Sequence, residues 1–276
     1  MGKRREYRNF DFSTISIKMK PLLKRTKNQS GFTMVELLIA STIGLIVLGV
    51  SIYIFTDQED TLNSENIKTN LRAKGRHAIK VLTKELRMSG FGLPPGLGIS
   101  APDPLADGST ISFRTNIGDV RTTTPPSAGS GGTSSSNSIS TVDGSGFSNN
   151  DNIIIYNPSY DQYEFNSVSG TPSASSIPLS SGLANSYTYG VNANLVTIHK
   201  YNDVTIALSG TSINKTVDGT TTALITDVSS TDGLAFEFYG ETETSQLNTV
   251  GVTVNMVSPV DSRLTMQFKT DINLRN

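Results

Sequence analysis

An uninterrupted apolar segment near the N-terminus constrains this chain more than any other feature. The segment runs from Phe32 to Thr56, and its 25 residues would span roughly 37 Å as an α-helix, against about 30 Å of bilayer hydrocarbon. It therefore predicts a membrane-spanning helix. One carboxylate, Glu36, lies near its start, where burial in hydrocarbon would cost at least ~2.5 kcal/mol. Glu36 either reaches back to the cytoplasmic interface or has a specific partner.

The charges on either side of this segment predict its orientation. Nine Lys/Arg and two acidic residues precede Phe32, whereas 14 basic and 22 acidic residues follow it. By the positive-inside rule, the N-terminus is expected in the cytoplasm and the bulk of the chain on the far side of the membrane. Because the basic residues lie on the wrong side of the span and lack interleaved aromatics, no nucleic acid is expected as a partner.

The composition excludes several classes of chemistry. The chain has no cysteine, so a disulfide framework, a lipoprotein anchor and thiolate catalysis are excluded. The apolar segment ends in bulky and acidic residues rather than a small-x-small pattern, so cleavage after it is not expected. The region beyond Met88 is long enough to bury a hydrophobic core of its own.

The helix is predicted to continue past the membrane. From Asp57 to Arg87 there is no proline, and apolar residues recur at steps of three, four or seven. This stripe is typical of an amphipathic helix packed on its own domain, and it comprises Ile67, Leu71, Ala78, Leu82 and Leu86. Gly75 interrupts the stripe, which indicates close packing or a bend. The glycines and prolines from Ser89 to Gly98 are expected to end the helix.

The remaining sequence favours β-strands. Seven stretches rich in β-branched residues alternate partly between apolar and polar positions and are bounded by Gly, Asn, Asp and Ser. The segment from Thr122 to Ser140 is rich in Ser, Thr, Gly and Pro, which predicts a mobile surface loop. The expected fold class is α+β, with a long N-terminal helix packed on an antiparallel β-sheet head.

The stretch "KNQSGFTMVELLIA" resembles the class III signal of type IV prepilins and of type II secretion pseudopilins. The resemblance implies a type IV pilin-like fold and a basic leader that prepilin peptidase removes between Gly31 and Phe32. It further implies N-methylation of Phe32. Glu36 would then pair with the new positive amine of a neighbouring subunit and dock it in register, an attraction that is strong at low dielectric.

Later stretches resemble PilW-type minor pilins. "LTKELRMSGFG" is similar to the end of their long helix, and "NNDNIIIYN" is similar to their first head strand. Three C-terminal stretches, "LITDVSSTDGLAFEFYGE", "TVGVTVNMVSP" and "FKTDINLRN", are similar to their last three strands. This resemblance implies a non-catalytic subunit that initiates or caps type IV pilus assembly at or near the tip. The implied partners are prepilin peptidase, the major pilin, other minor pilins and, before assembly, inner-membrane lipid.

These patterns divide the chain into four expected parts. They are a removable leader (1–31), the transmembrane and assembly half of the helix (32–56), its amphipathic half (57–88) and a β-rich periplasmic or extracellular head (89–276). A leader of this length departs from the family, and Met19 would give a shorter one. Many minor pilins also have a disulfide, which this chain cannot form.

Three alternatives to a minor pilin stay open. A GspJ-type pseudopilin at the tip of a type II secretion pseudopilus would share every feature above. The head could also be a tip adhesin or another ligand-binding module. A single-span protein with a periplasmic enzyme domain is the third alternative, although no catalytic motif supports it.

Few residues have the spacing of a chemical site. His77 and His199 lack nearby ligands, so neither a metal nor another cofactor is expected. The segment from Val142 to Asp151 contains four Asp or Asn residues but lacks EF-hand spacing, which favours an Asx-rich turn over a calcium loop. Several tyrosines could bind a glycan or pack within the head, namely Tyr156, Tyr160, Tyr163, Tyr187 and Tyr189.

Overall fold

The computed structural model describes residues 31–275, and it has one long helix followed by a head of antiparallel strands. Helix α1 spans Met34–Leu86, which at 53 residues is roughly 80 Å long. The strands are β1 Ile99–Ala101, β2 Thr110–Thr115, β3 Arg121–Thr123, β4 Ser138–Ser140, β5 Asn152–Asn157, β6 Gln162–Ser167, β7 Ser176–Pro178, β8 Thr197–Ser209, β9 Ser212–Val217, β10 Thr220–Thr226, β11 Leu234–Glu237, β12 Thr249–Val257 and β13 Thr265–Asn273. A short 3₁₀ turn, Thr244–Gln246, precedes β12.

The strands form three antiparallel sheets. The largest has eight strands, with the path β1-β2-β8-β5-β6 and with β3, β9 and β10 attached through β8 and β9. The second is the meander β11-β12-β13, and the third is the pair β4-β7. This layout, a long apolar N-terminal helix and an antiparallel head, confirms the expected α+β, type IV pilin-like fold class.

Strand β8 connects two separate hydrophobic cores. Its first residues pair with β5 and β3, and its later residues pair with β2 and β9. One core packs the end of α1 against β2, β8, β9 and the β11-β12-β13 meander. The second core includes Ile153, Ile155 and Ile198 and is covered by β4, β7 and the connections around them. One strand of 13 residues therefore belongs to both cores.

Residues up to Glu59 and residues from Asp60 onward form two compact units. In the first unit, every described side chain is exposed. In the second unit, the predicted stripe is confirmed, because Leu71, Ala78, Leu82 and Leu86 are buried on one face of α1. The buried residues of both cores lie between Leu71 and Ile272, so a fragment from Asp60 to Asn276 contains all of them.

Gly75 lies within the buried stripe because the ring of Phe268 on β13 occupies the space of a side chain. A Cβ atom on Gly75 would lie 2.0 Å from Cε2 of Phe268, far inside van der Waals contact. The close-packing interpretation of Gly75 is therefore confirmed. Two ion pairs fasten the same part of α1 to the strands, from Lys74 Nζ to Asp227 at 2.5 Å and from Lys215 Nζ to Glu85 at 2.6 Å.

The segment from Thr122 to Ser140 differs from the mobile loop that its composition predicted. Its ends form β3 and β4, and its middle exchanges backbone hydrogen bonds with a neighbouring segment, including Ser135 N–H to Leu183 O at 2.8 Å and Tyr187 N–H to Gly132 O at 2.7 Å. A Cβ on Gly131 would lie 2.2 Å from the Tyr187 carbonyl oxygen. The small residues thus permit close backbone approach, and backbone pairing replaces the missing apolar side chains.

The order of the strands also differs in detail from the sequence analysis. The stretch "NNDNIIIYN" forms β5, with four strands before it, rather than the first strand of the head. The stretches "NLVTIHKY" and "DVTIALSG", which were predicted as two separate strands, join into the single long strand β8. Strand β6 and the hairpin β9–β10 were not predicted. The C-terminal stretches form the end of β10 and the three strands of the meander, as the resemblance implied.

The contact between Gly75 and Phe268 generates a stability prediction. Gly75→Ala should lower the free energy of unfolding of the fragment from Asp60 to Asn276 by up to about 2 kcal/mol. The overpacking cost of about 1–3 kcal/mol exceeds the helix-propensity gain of about 1 kcal/mol. Urea unfolding followed by circular dichroism measures this difference.

The matched control is the double variant Gly75→Ala with Phe268→Leu, which removes the ring that blocks the new methyl group. A favourable coupling between the two changes should restore part of the lost stability. A single Gly75→Ala variant more stable than the original fragment would contradict the proposed contact.

Candidate functional site

The N-terminal end of α1 carries the three residues that the sequence analysis selected as a processing and docking site. Gly31 and Phe32 lie just before the helix, and the Phe32 side chain is 82% exposed. Glu36 lies in the first turn of α1. All three are therefore accessible at one end of an apolar helix.

Thr33 and Glu36 form a reciprocal capping box. The backbone N–H of Glu36 donates to Thr33 Oγ1 at 3.2 Å, and the backbone N–H of Thr33 donates to Glu36 Oε2 at 3.4 Å. The Thr33 hydroxyl also lies 3.4 Å from Glu36 Oε2. These bonds satisfy two N–H groups that a helix start leaves unpaired. This role was not predicted, although the spacing Thr-x-x-Glu at Thr33–Glu36 is the sequence pattern of a capping box.

The helix that follows is suited to a hydrocarbon environment. It is the one helix among residues 31–275 that is long and apolar enough to span a membrane. Its hydroxyl groups bond back to the carbonyl oxygens of the preceding turn, as in Ser41 to Leu38 at 2.9 Å and Ser51 to Val47 at 2.7 Å. Hydrogen bonding within the helix lets these polar side chains enter a bilayer at low cost.

The two histidines lie apart on different elements. His77 is exposed on α1, whereas His199 is half-buried on β8 and lines a cavity of about 430 Å³ together with Arg121 and Val142. The buried Nδ1 of His199 has no hydrogen-bond partner. Among residues 31–275, no group of three or more His, Cys, Asp or Glu side chains is placed to hold a metal ion.

The acidic and amide-rich segment before β5 forms turns, as expected. Asp143 Oδ1 accepts the Ser145 hydroxyl at 2.7 Å and the Ser145 N–H at 2.9 Å, and the second of these is an Asx-turn bond. The hydroxyl and then the N–H lower the pKa of the Asp143 carboxyl. Asp151 pairs with Lys200 Nζ at 2.7 Å, and Asn149 Oδ1 accepts the N–H of Gly170 at 2.7 Å. These groups are thus engaged in structural bonds.

The tyrosines divide between packing and exposure. Tyr187 is fully buried in the second core, and burial raises the pKa of its phenol, which donates to Glu164 Oε2 at 3.1 Å. Tyr156 donates to Asp161 Oδ1 at 3.0 Å. Tyr163 is 47% exposed but packs edge-to-face on Phe165 with ring centroids 5.7 Å apart, and Tyr189 is half-buried. Tyr160 is 67% exposed.

Comparison with known proteins finds a known sequence motif at the N-terminal end of the chain. Residues 26–52 match a family described as the prokaryotic N-terminal methylation motif. The match includes Gly31, Phe32 and Glu36 together with the first part of α1. Searches of the curated proteins and of the solved structures found no match.

The motif and the fold together define the class of protein. A prepilin-type methylation motif that leads into an apolar helix, followed by an antiparallel head, supports a type IV pilin-like, prepilin-type protein with a membrane anchor. Proteins with this motif are pilin-type structural subunits that are generally non-catalytic, are processed by prepilin peptidase and act in fibre assembly. The leader up to residue 30 lies outside the described residues.

His199 generates a prediction on pH dependence. Burial lowers the pKa of its imidazole, with a further contribution from Arg121. Because the unfolded histidine has the higher pKa, the unfolded state binds more protons near pH 6. The free energy of unfolding should therefore fall as the pH drops through the ordinary value of 6.5, and His199→Gln should weaken this dependence. Urea unfolding of the fragment from Asp60 to Asn276 between pH 8 and pH 5 measures it.

His77→Gln is the matched control, because it makes the same substitution on the exposed face of α1, outside the cavity that His199 lines. An identical pH profile for the His199→Gln variant and the original fragment would contradict the assignment.

Proposed function

We propose that this chain is a PilW-like minor pilin that helps to initiate or cap a type IV pilus at or near its tip. It is inserted into the inner membrane as a precursor, with its N-terminus in the cytoplasm and its head in the periplasm. Prepilin peptidase cuts between Gly31 and Phe32 and methylates the new amine of Phe32. The chain then joins the major pilin and other minor pilins, without a catalytic role of its own.

One observation carries the proposal. The methylation motif at residues 26–52 coincides with the start of a helix whose side chains are all exposed through residue 60. A soluble protein does not leave such a surface uncovered, so it requires either lipid or the helices of other subunits. A membrane pool of precursors that later assemble into a helical bundle provides both.

The Glu36 carboxylate can accept the capping bonds from Thr33 and pair with the amine of a neighbouring subunit at the same time. Both side-chain contacts with Thr33 use one oxygen, Oε2. A carboxylate has about four acceptor positions, so it can accept further bonds from a positive amine. In a low-dielectric bundle, this charge pair would orient the incoming helix, and leaving either charge unpaired would be costly.

The proposal for the head rests on sequence resemblance together with topology. The stretches that resemble the last strands of PilW-type pilins form the meander β11-β12-β13, which packs against the buried stripe of α1. The division of the chain at residues 31, 56 and 88 follows the same proposal. Heterologous contacts between such heads and sister subunits would build the tip.

Substitution of Glu36 tests the docking role. Glu36→Gln keeps the capping box, since glutamine also serves at this position, but it removes the charge. In cells with the complete pilus machinery, this variant should be processed and should reach its normal membrane level. Its incorporation into pili should fall at least tenfold, as measured by immunoblotting of sheared fibres.

Glu36→Ala is the matched comparison, because it removes both the charge and the cap. If Glu36 acts only through the cap, the glutamine variant will assemble normally and the alanine variant will not, which would contradict the docking role. If the Glu36 variants leave the number of pili normal but stop the secretion of hydrolases, the chain is instead a type II secretion pseudopilin.

A further inference from the structure

An open groove lies on the head beside the turn that joins β5 and β6. Its volume is about 650 Å³, within the range of small-molecule sites. Its lining includes Tyr160, Asp161, Gln162, Asn185 and Asn192. A smaller cavity that Tyr160 and Asn192 also line adjoins it. The β5–β6 turn therefore forms one wall, and the segment before β8 forms the other.

Buried polar groups hold the two walls together. Asn157, which is fully buried, donates from Nδ2 to the backbone oxygen of Asn192 at 3.1 Å and accepts the N–H of Ser159 at 3.1 Å. Gln162 Nε2 donates to Asn185 Oδ1 at 2.7 Å across the groove. A groove fixed in this way loses little conformational entropy when a ligand binds.

Bonds to Glu164 fix the position of Asn185 in turn. The carboxylate accepts the backbone N–H of Asn185 at 3.1 Å and its side-chain amide at 3.2 Å. The buried phenol of Tyr187 donates to the same oxygen. The Asn185 amide nitrogen also donates to Tyr187 Oη at 3.5 Å, and its oxygen accepts from Gln162, so a rigidly held acceptor position on that oxygen is what Asn185 offers to a ligand.

The lining has the chemistry of a site for a neutral carbohydrate. Tyr160 is 67% exposed, so it offers an aromatic face to a ligand instead of to the core. The C–H face of a sugar ring packs on such a surface, while its hydroxyls both donate and accept hydrogen bonds. The side-chain amides of Gln162 and Asn192 can also do both, and the Asn185 oxygen can accept.

The same lining disfavours other ligand classes. None of the seven lining residues is Lys, Arg or His, so the groove offers no cation to a phosphate or an acidic peptide. Asp161 would repel an acidic sugar. The lining has no aliphatic side chain, which disfavours a lipid or an apolar helix.

We propose that this groove binds a short neutral oligosaccharide, with Tyr160 packing against a sugar ring and Gln162, Asn185 and Asn192 bonding its hydroxyls. This binding is additional to the assembly role, and the groove lies on a different unit from the Phe32–Glu36 end of the chain. The site gives the head a recognition function that the fibre would present to its surroundings.

The test uses the full chain in a zwitterionic detergent, which has no sugar headgroup. The probe is an array of short neutral oligosaccharides of hexoses and N-acetylhexosamines, with sialylated forms of the same structures alongside. Neutral forms should bind and sialylated forms should bind more weakly. Tyr160→Ala and Asn192→Ala should each lower the affinity for the best neutral oligosaccharide at least tenfold by calorimetric titration.

The matched control is Tyr239→Ala, because Tyr239 is 50% exposed but lies on the β11 side of the head, outside the groove. It should bind the oligosaccharide like the original chain. Thermal unfolding identifies any variant that fails to fold, and both groove variants should still enter pili. Folded protein that binds no neutral oligosaccharide, or equal binding by the Tyr160→Ala and Asn192→Ala variants, would overturn the proposal. Groove variants that bind the oligosaccharide normally but fail to bind another pilin subunit would also overturn it.

Discussion

The two halves of helix α1 lie in different environments, and the rest of the structure depends on how the apolar side chains of each half are covered. The half of α1 up to residue 60 exposes its apolar side chains all round, whereas the later half buries one stripe against the strands. The exposed half requires lipid or other helices, and the buried stripe requires a head. Gly75 lets the ring of Phe268 lie directly on the helix, and ion pairs at Lys74 and Glu85 fasten the rim of this contact.

The head extends beyond the part that covers the helix. Strand β8 begins in the second core, whose buried residues include none from α1, and continues into the first core. The second core supports the groove near Tyr160, since its buried Tyr187 bonds the carboxylate that fixes Asn185. The two cores therefore differ in what they support. The first core packs the strands against the helix, and the second supports the groove near Tyr160.

The sequence predicted features that depend on local pattern. The buried stripe follows from a period of 3.6, and the methylation motif follows from one contiguous stretch that includes Gly31, Phe32 and Glu36. The β5 and β12 strands have strong β-branched runs and were found for the same reason. The capping box of Thr33 and Glu36 is also local, so the sequence could have predicted it.

The features that sequence reasoning missed depend on residues distant in the chain. The segment from Thr122 to Ser140 is ordered by carbonyl and N–H groups near Leu183 and Tyr187, which composition cannot reveal. The hairpin β9–β10 is rich in Thr and lacks clear alternation of apolar and polar residues, so its strand pattern is weak. The groove brings together residues of two separate segments, and only the fold joins them.

The identity of the mature N-terminus tests the central claim most directly. Intact mass and peptide sequencing should be performed on chain produced with and without prepilin peptidase. The account predicts a chain that begins at Phe32 with one added methyl group, and only when the peptidase is present. An uncleaved chain in both samples, or a cut beyond Thr56, would contradict it and leave an ordinary anchored or secreted β-rich protein.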